Sequence, residues 1–159
     1  MSGVDPVSAW PDLAGRIVSD DNGRRHLLAV RVYFEDTDFS GLVYHGSYLR
    51  WCERGRSDFL RLLGNDHRAL IGASEPAAFV VRRLNLEYLK PARIDDVLEV
   101  VTRVKELGAA TLVLDQRVTR GGVELCQAEV TVVLVASTGK VLRLSRALRA
   151  AFTHPPATD

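Results

Sequence analysis

One run of helical periodicity, about Gly46 to Leu63, stands alone between segments that alternate as strands, and few folds accept that arrangement. Tyr48, Cys52, Gly55, Phe59 and Leu62 recur at spacings of four, three, four and three, which puts them on one helix face. Arg50, Arg54, Ser57, Asp58 and Arg61 fall on the other and are expected to face water. A mid-helix glycine costs roughly 1 kcal/mol relative to alanine, so Gly55 on the apolar face predicts close approach of the helix to a sheet. Gly64-Asn65 is a predicted C-cap. A strand-like run, about His26 to Phe34, precedes the helix, and four follow it: about Ala78–Tyr88, Val97–Leu107, Thr111–Thr119 and Glu124–Ala136. Gly108-Ala109-Ala110 and Gly121-Gly122 are tight links of the hairpin kind. A short helix is expected over Ser145–Phe152. One long helix with a meander of antiparallel strands predicts an α+β domain.

At 159 residues the chain can bury one core without metals or cross-links. Residues 1–24, rich in Pro, Gly, Asp and Ser, are expected to form a loose leader or a short surface helix, residues 25–153 the domain, and residues 154–159 a tail. A net charge of +1 implies no general attraction to nucleic acid or to an anionic membrane. No apolar run approaches the length of a transmembrane helix, and the acidic N-terminal stretch is unlike a secretory signal. Cys52 and Cys126 each sit in an apolar pattern and read as buried small hydrophobes, which fits a reducing, cytoplasmic setting. His26, His45, His67 and His154 lack Cys or His neighbours at metal-ligand spacing, so no metal site is expected. Neither a phosphate-binding glycine loop nor a Gly-x-Ser-x-Gly elbow is present.

Chemistry concentrates between the first strand and the helix, in Phe34-Glu35-Asp36-Thr37-Asp38-Phe39-Ser40-Gly41-Leu42-Val43-Tyr44-His45-Gly46-Ser47-Tyr48. This segment brings carboxylates, a glycine turn and a histidine up to the unpaired N–H groups of a helix N-terminus. A carboxylate facing such an N-terminus suits attack on a polarised carbonyl. Asp-rich turns before helices are usually only caps, so the whole pattern, not either aspartate alone, carries the reading. Gly41 is expected to supply a positive φ or a close backbone approach.

The segment resembles the hotdog-fold acyl-CoA thioesterases of the hydroxybenzoyl-CoA thioesterase type, and within them the YbgC branch associated with the bacterial Tol–Pal system. The matching residues are Arg31-Val32-Tyr33-Phe34-Glu35-Asp36-Thr37-Asp38, Gly41, Val43-Tyr44-His45, Tyr48, Glu53-Arg54 and Arg56. Asn85-Leu86-Glu87-Tyr88-Leu89-Lys90-Pro91-Ala92 with Asp95-Asp96 forms a second match, and the likeness runs from about His26 to Phe152. It implies a hotdog fold, in which the antiparallel sheet wraps around the long helix. It also implies thioester hydrolysis without a cofactor, on an acyl-CoA or acyl-carrier substrate, by a homo-oligomer, dimer or tetramer.

By the same resemblance Asp38 supplies the catalytic carboxylate, as nucleophile or as general base for water. The His45 backbone N–H, with that of Gly46, becomes the oxyanion donor, and the His45 imidazole has a further role in binding or proton transfer. Asp36 is expected to hold the turn, Glu53 an ion pair, and Asp95-Asp96 a loop. Val43, Tyr44 and Tyr48 are expected in the acyl pocket. With Phe39 and Trp51 they are bulky, which predicts short or compact acyl groups. Arg82, Arg83, Lys90 and Arg143 are candidates for the CoA phosphates, with Arg93 and Lys140 behind them. Ala109-Ala110 departs from the basic residues of the hydroxybenzoyl-CoA enzyme at that link, so a different grip on the nucleotide is expected. Two other functions compete. One is a hotdog dehydratase, which Gly-x-Val-Tyr-His disfavours. The other is a non-catalytic or weakly catalytic interaction protein that binds acyl carrier protein or envelope machinery.

Overall fold

The computed structural model describes Leu13, residues 15–64, Leu70, Gly72 and residues 75–158. Its elements are β1 (Arg16–Asp20), β2 (Gly23–Arg31), a 3-10 turn (Phe34–Asp36), α1 (His45–Leu62), β3 (Ala77–Tyr88), β4 (Val97–Leu107), β5 (Thr111–Arg120), β6 (Val123–Ala136), β7 (Val141–Leu142) and α2 (Arg146–Thr153). The strands pair antiparallel in the order β1-β2-β4-β5-β6-β3, with β7 also on β6. The sheet packs around α1, which contacts β1, β2, β4 and β5. This is the expected α+β architecture.

Alternation builds the concave face. Along β5, Leu112, Leu114, Gln116 and Val118 are buried while their neighbours are only partly so. One apolar cluster gathers around the first half of α1, with Tyr48, Trp51 and Cys52 against Val30, Leu98, Val100 and Val118. A second surrounds its C-terminal half, where Phe59 and Leu60 meet Leu112, Leu114, Val130, Leu148 and Phe152. Between the two runs a polar seam. The buried Gln116 side chain donates to the Cys52 carbonyl (3.0 Å) and to Thr102 Oγ1 (2.9 Å), and accepts from Arg56 Nη1 (2.8 Å). Gly55 lies over this seam. A Cβ there would come within 2.9 Å of Val100 Cγ1 and 3.3 Å of both Thr102 Oγ1 and Gln116 Nε2, so the glycine sets the helix–sheet distance, as its place in the apolar face predicts.

The termini differ from expectation. The segment read as a leader contains β1, whose Ile17 is fully buried, and its hairpin with β2 adds a strand to the sheet. The residues read as a tail return to that strand: the Thr158 amide donates to the Ile17 carbonyl (2.9 Å), and the Ile17 amide to Thr158 Oγ1 (2.6 Å). The first long strand accordingly begins and ends earlier than its apolar run, because Val32 to Phe34 turn toward the helix. Gly64 has the positive φ (+78°) of a helix C-terminus, while Asn65 lies outside the described residues.

Asp58 is the second departure. The helical spacing puts it on the face opposite the apolar stripe, yet its carboxylate is 12 % exposed and accepts from His26 Nε2 (2.6 Å), the Gly15 amide (2.9 Å) and Arg61 Nη2 (2.5 Å). The reason is that β1 and β2 cover the side of the helix that the sequence left open. Burial alone would raise the Asp58 pKa, but the three donors outweigh it and hold the carboxyl below its ordinary range. Both cysteines are free and buried, and desolvation pushes Cys52 up to about 11 and Cys126 up to about 12, so neither is a ready nucleophile.

Candidate active site

The path from β2 into α1 is held by short-range bonds that its sequence supplies. The Asp36 carboxylate accepts the Tyr33 amide (2.9 Å), and its carbonyl accepts the Tyr44 amide (2.8 Å), so Asp36 fixes the turn as expected. Residues 37–43 then fold back on themselves. Thr37 bridges to Val43, the Asp38 amide donates to the Leu42 carbonyl (3.0 Å), and the Gly41 amide to the Asp38 carbonyl (3.0 Å). Gly41 takes the left-handed φ of +80° that the turn needs. The Val43 amide ties the loop to the Ala92 carbonyl (3.0 Å), and α1 starts two residues later.

Asp38 stands at the tip of this loop. Its Oδ1 accepts the Ser40 amide (2.8 Å) and the Ser40 hydroxyl, while Oδ2 meets no donor among the described residues. Those two bonds from Ser40 hold the carboxyl below its ordinary pKa, a small desolvation effect opposes them, and nearby His45 adds to the lowering. Asp38 is therefore ionised at neutral pH.

The N-terminus of α1 carries no side-chain cap and no acidic residue in its first turn. The Ser47 amide turns back to the Tyr44 carbonyl (2.9 Å), whereas the amides of His45 and Gly46 find no acceptor among the described residues. Tyr44 lies beside them: its ring centroid is 4.4 Å from that of His45, and a Cβ on Gly46 would fall 2.7 Å from Tyr44 Cε1. Glycine at 46 is what lets this ring lie over the first turn.

An apolar cleft opens next to these amides. It is lined by Leu42, Val43, His45, Tyr48, Tyr88, Leu89, Lys90 and Pro91, with a volume of about 240 Å³. Val43 and Tyr48, expected in the acyl pocket, are among these lining residues. Tyr44 does not, because its ring is held against the helix start and half-exposed. Tyr48 is fixed in place by the Ala92 amide, which donates to its hydroxyl (3.0 Å). Phe34 and Phe39 project into solvent on either side of Asp38.

The cationic candidates are not gathered here. Lys90 borders the cleft. Arg82 is the extra residue where β3 slips register against β6, and Arg83 follows it, several residues along the strand from Tyr88. Arg143 lies past β7, at the end of β6 that pairs with Phe79, and so at the opposite end of the sheet from the cleft. Strand direction separates what the sequence grouped by charge. Glu53 pairs with Arg56, which reaches Gln116 on β5, and Asp96 accepts the Arg93 amide (2.9 Å) and Arg120 Nη1 (2.7 Å). Sequence reasoning missed Tyr88, whose hydroxyl donates to the His45 carbonyl (2.8 Å). Its place in the Asn85–Ala92 match was the available signal.

Among the described residues no helix is long and apolar enough to cross a membrane, and no cluster of His, Cys, Asp and Glu is arranged to hold a metal ion.

Comparison with known proteins agrees with this fold. The family model described as the thioesterase superfamily matches residues 40–127. The chain is similar to the acyl-CoA thioesterase YbgC of Haemophilus influenzae, at 40% identity over 84% of this chain and 97% of the relative. It is 45% identical to the acyl-CoA thioester hydrolase YbgC of Escherichia coli, over 67% of this chain and 78% of that one. Among solved structures, a probable thioesterase from Bartonella henselae superposes with a TM-score of 0.74 at 40% identity, covering 76% of this chain and 99% of that one. The chain belongs to the thioesterase superfamily, with the hotdog fold, and within it to the YbgC acyl-CoA thioesterases.

Proposed function

We propose that this chain hydrolyses acyl-CoA thioesters between the Asp38 loop and the first turn of α1, with Asp38 and the His45 and Gly46 amides as the reacting apparatus. What supports this reading is an ionised, exposed carboxylate, near enough to His45 to feel its charge, in the loop that leads into an uncapped helix N-terminus seven residues further on. The thioester carbonyl oxygen accepts from the free amides, where the helix dipole favours the negative charge that develops. As nucleophile, the open Asp38 oxygen adds to the carbonyl carbon. The tetrahedral adduct then expels CoA thiolate, which takes up a proton, and leaves a mixed anhydride. Water cleaves the anhydride to the free acid and restores Asp38. As general base, Asp38 instead takes a proton from water as that water attacks; the resulting adduct carries the water oxygen, not that of Asp38, and collapses directly to the free acid, while the proton passes from Asp38 to the departing thiolate. Either route balances without a cofactor. The His45 imidazole, against the cleft, suits contact with the carbonyl or protonation of the leaving thiolate.

The bulk of Tyr48 and Tyr88, which line the cleft, favours compact acyl groups. Lys90 at its rim is the cation best situated for the pantetheine or phosphate end of CoA. The free edge of β3, which carries the exposed apolar residues Val80, Val81 and Leu84, suits pairing with a second copy.

The test is Asp38→Asn assayed on acetyl-, butyryl-, benzoyl- and palmitoyl-CoA with a thiol-reactive dye. Turnover is expected to fall at least about a hundredfold with the fold intact, since both routes lose their carboxylate. Wild-type turnover in this variant would refute the assignment. Loss of equal size in a folded Asp36→Asn would move it to the other aspartate. A specificity constant highest for palmitoyl-CoA would overturn the compact-acyl reading alone.

A further inference from the structure

We infer that Tyr88 is a positioning residue for this reaction, acting on the oxyanion-binding amides through the peptide that joins His45 to Gly46. The inference rests on the hydrolytic reading above. The Tyr88 hydroxyl donates to the His45 carbonyl at 2.8 Å. That carbonyl and the Gly46 N–H belong to one planar peptide unit, so a donor fixed on its oxygen sets the plane in which the Gly46 N–H points. It also draws electron density toward the oxygen, which makes the N–H a stronger donor. Tyr88 touches neither amide directly and needs no contact with substrate to do this.

The phenol is well placed for such a task. It is carried by the last residue of β3, where the strand still pairs with Cys126 and the next two amides, of Leu89 and Lys90, both donate to the Leu125 carbonyl. Its ring meets Tyr48 edge-on at 5.5 Å and His45 edge-on at 6.4 Å. Tyr48 is itself tied by the Ala92 amide, so a strand end, a helix face and a loop brace the ring together. The helix start lacks the side-chain cap that ordinarily steadies a first turn, and Tyr88 reaches that turn from across the fold. Desolvation of the ring pushes the phenol above its ordinary pKa, so at neutral pH it is a donor.

The magnitude follows from the donor it adjusts. Removing one oxyanion donor typically costs about 10²- to 10³-fold in kcat, and a cooperating hydrogen bond strengthens its neighbour by roughly 10–30%. Loss of the Tyr88 hydroxyl is therefore expected to cost about two- to eightfold.

The experiment compares Tyr88→Phe, and 3-fluorotyrosine installed at position 88, with the full-length wild-type chain on acetyl- and benzoyl-CoA. In Tyr88→Phe, kcat and kcat/KM are expected to fall together by about two- to eightfold with KM unchanged, the pattern of an interaction felt in the transition state. Fluorotyrosine, a more acidic donor of nearly the same shape, is expected to turn over at least as fast as wild type. A role confined to holding β3 against the helix would not respond to phenol acidity. Wild-type kcat in Tyr88→Phe, a change wholly in KM, or a fluorotyrosine enzyme as slow as the Phe variant would each overturn the proposal. Should Tyr88→Phe fail to fold, the fluorotyrosine comparison decides by itself. Asp38→Asn, measured alongside, separates the two readings. An inactive Asp38→Asn with an unaffected Tyr88→Phe refutes the role of Tyr88 only, and an active Asp38→Asn refutes that of Asp38.

Discussion

Replacing Gly55 by alanine sets two physical effects in opposition, and the structure decides the sign. Helix propensity alone favours alanine by about 1 kcal/mol at a mid-helix position. The new methyl, however, would sit 2.9 Å from Val100 Cγ1, where carbon atoms prefer about 3.5–4.0 Å. Val100 is fully buried in β4 and β-branched, so it has little room to rotate away. Relief must come from lifting α1, which stretches the bonds from Gln116 to the Cys52 carbonyl and from Arg56 to Gln116. Overpacking of this kind costs about 1–3 kcal/mol, and weakening a buried hydrogen bond about 1 kcal/mol more. After the propensity gain is subtracted, Gly55→Ala is expected to destabilise by about 1–3 kcal/mol, or roughly 2–12 °C in Tm for a chain of this size. Urea unfolding at fixed protein concentration measures it. Val100→Ala should partly rescue the variant, giving a coupling of about 1 kcal/mol in a double-mutant cycle. A Gly55→Ala protein as stable as wild type, or more so, would refute the claim that contact with β4 and the seam sets the height of the helix.

Two further outcomes follow from other parts of the molecule. Because Asp58 is held below its ordinary pKa in the fold, it contributes stability that is fully present above its unfolded pKa of about 4 and is lost as pH falls through its lower folded value. Asp58→Asn should therefore be less stable than wild type at neutral pH, with the gap closing in the acid limb of an unfolding-versus-pH series; a gap that widens there would contradict this. The exposed edge of β3 predicts a stable dimer or tetramer by light scattering at micromolar concentration, with Val81→Lys shifting it toward monomer, and a wild-type monomer would sink the edge-pairing proposal.

Much of the fold was legible because its signals are local. β4 occupies the interval its alternation marks, and α1 lies within one residue of its periodic run. β1 was not, since Arg16-Ile17-Val18-Ser19-Asp20 is short, and Ile17 is its only fully buried residue. What made it a strand is a partner, β2, rather than its own composition. Asp58 was misplaced for the related reason that a helical wheel knows one buried face, while β1 and β2 create a second contact beside it. Gln116 was more accessible to inference. It occupies an inward position in the alternation Leu112, Leu114, Gln116, Val118, and a buried amide must find partners.

The candidate site divides along the same line. Asp38, Gly41, His45 and Gly46 lie within nine residues, so turn geometry and the helix start bring them together almost regardless of the rest of the chain. Sequence could therefore group them. The cations are different: Arg83, Lys90 and Arg143 carry the right charge, but their separation depends on how far each lies along β3 and β6. Tyr88 is the clearest case, because its contact with the His45 carbonyl spans 43 residues and exists only once β3 has docked beside α1. The carboxylate and the amides are thus encoded locally, whereas the orientation of the Gly46 amide is encoded by the sheet. On the proposed mechanism, substitutions in the Asp38 loop are expected to act on the chemical step directly, and substitutions at the end of β3 to act on it through the peptide plane they hold.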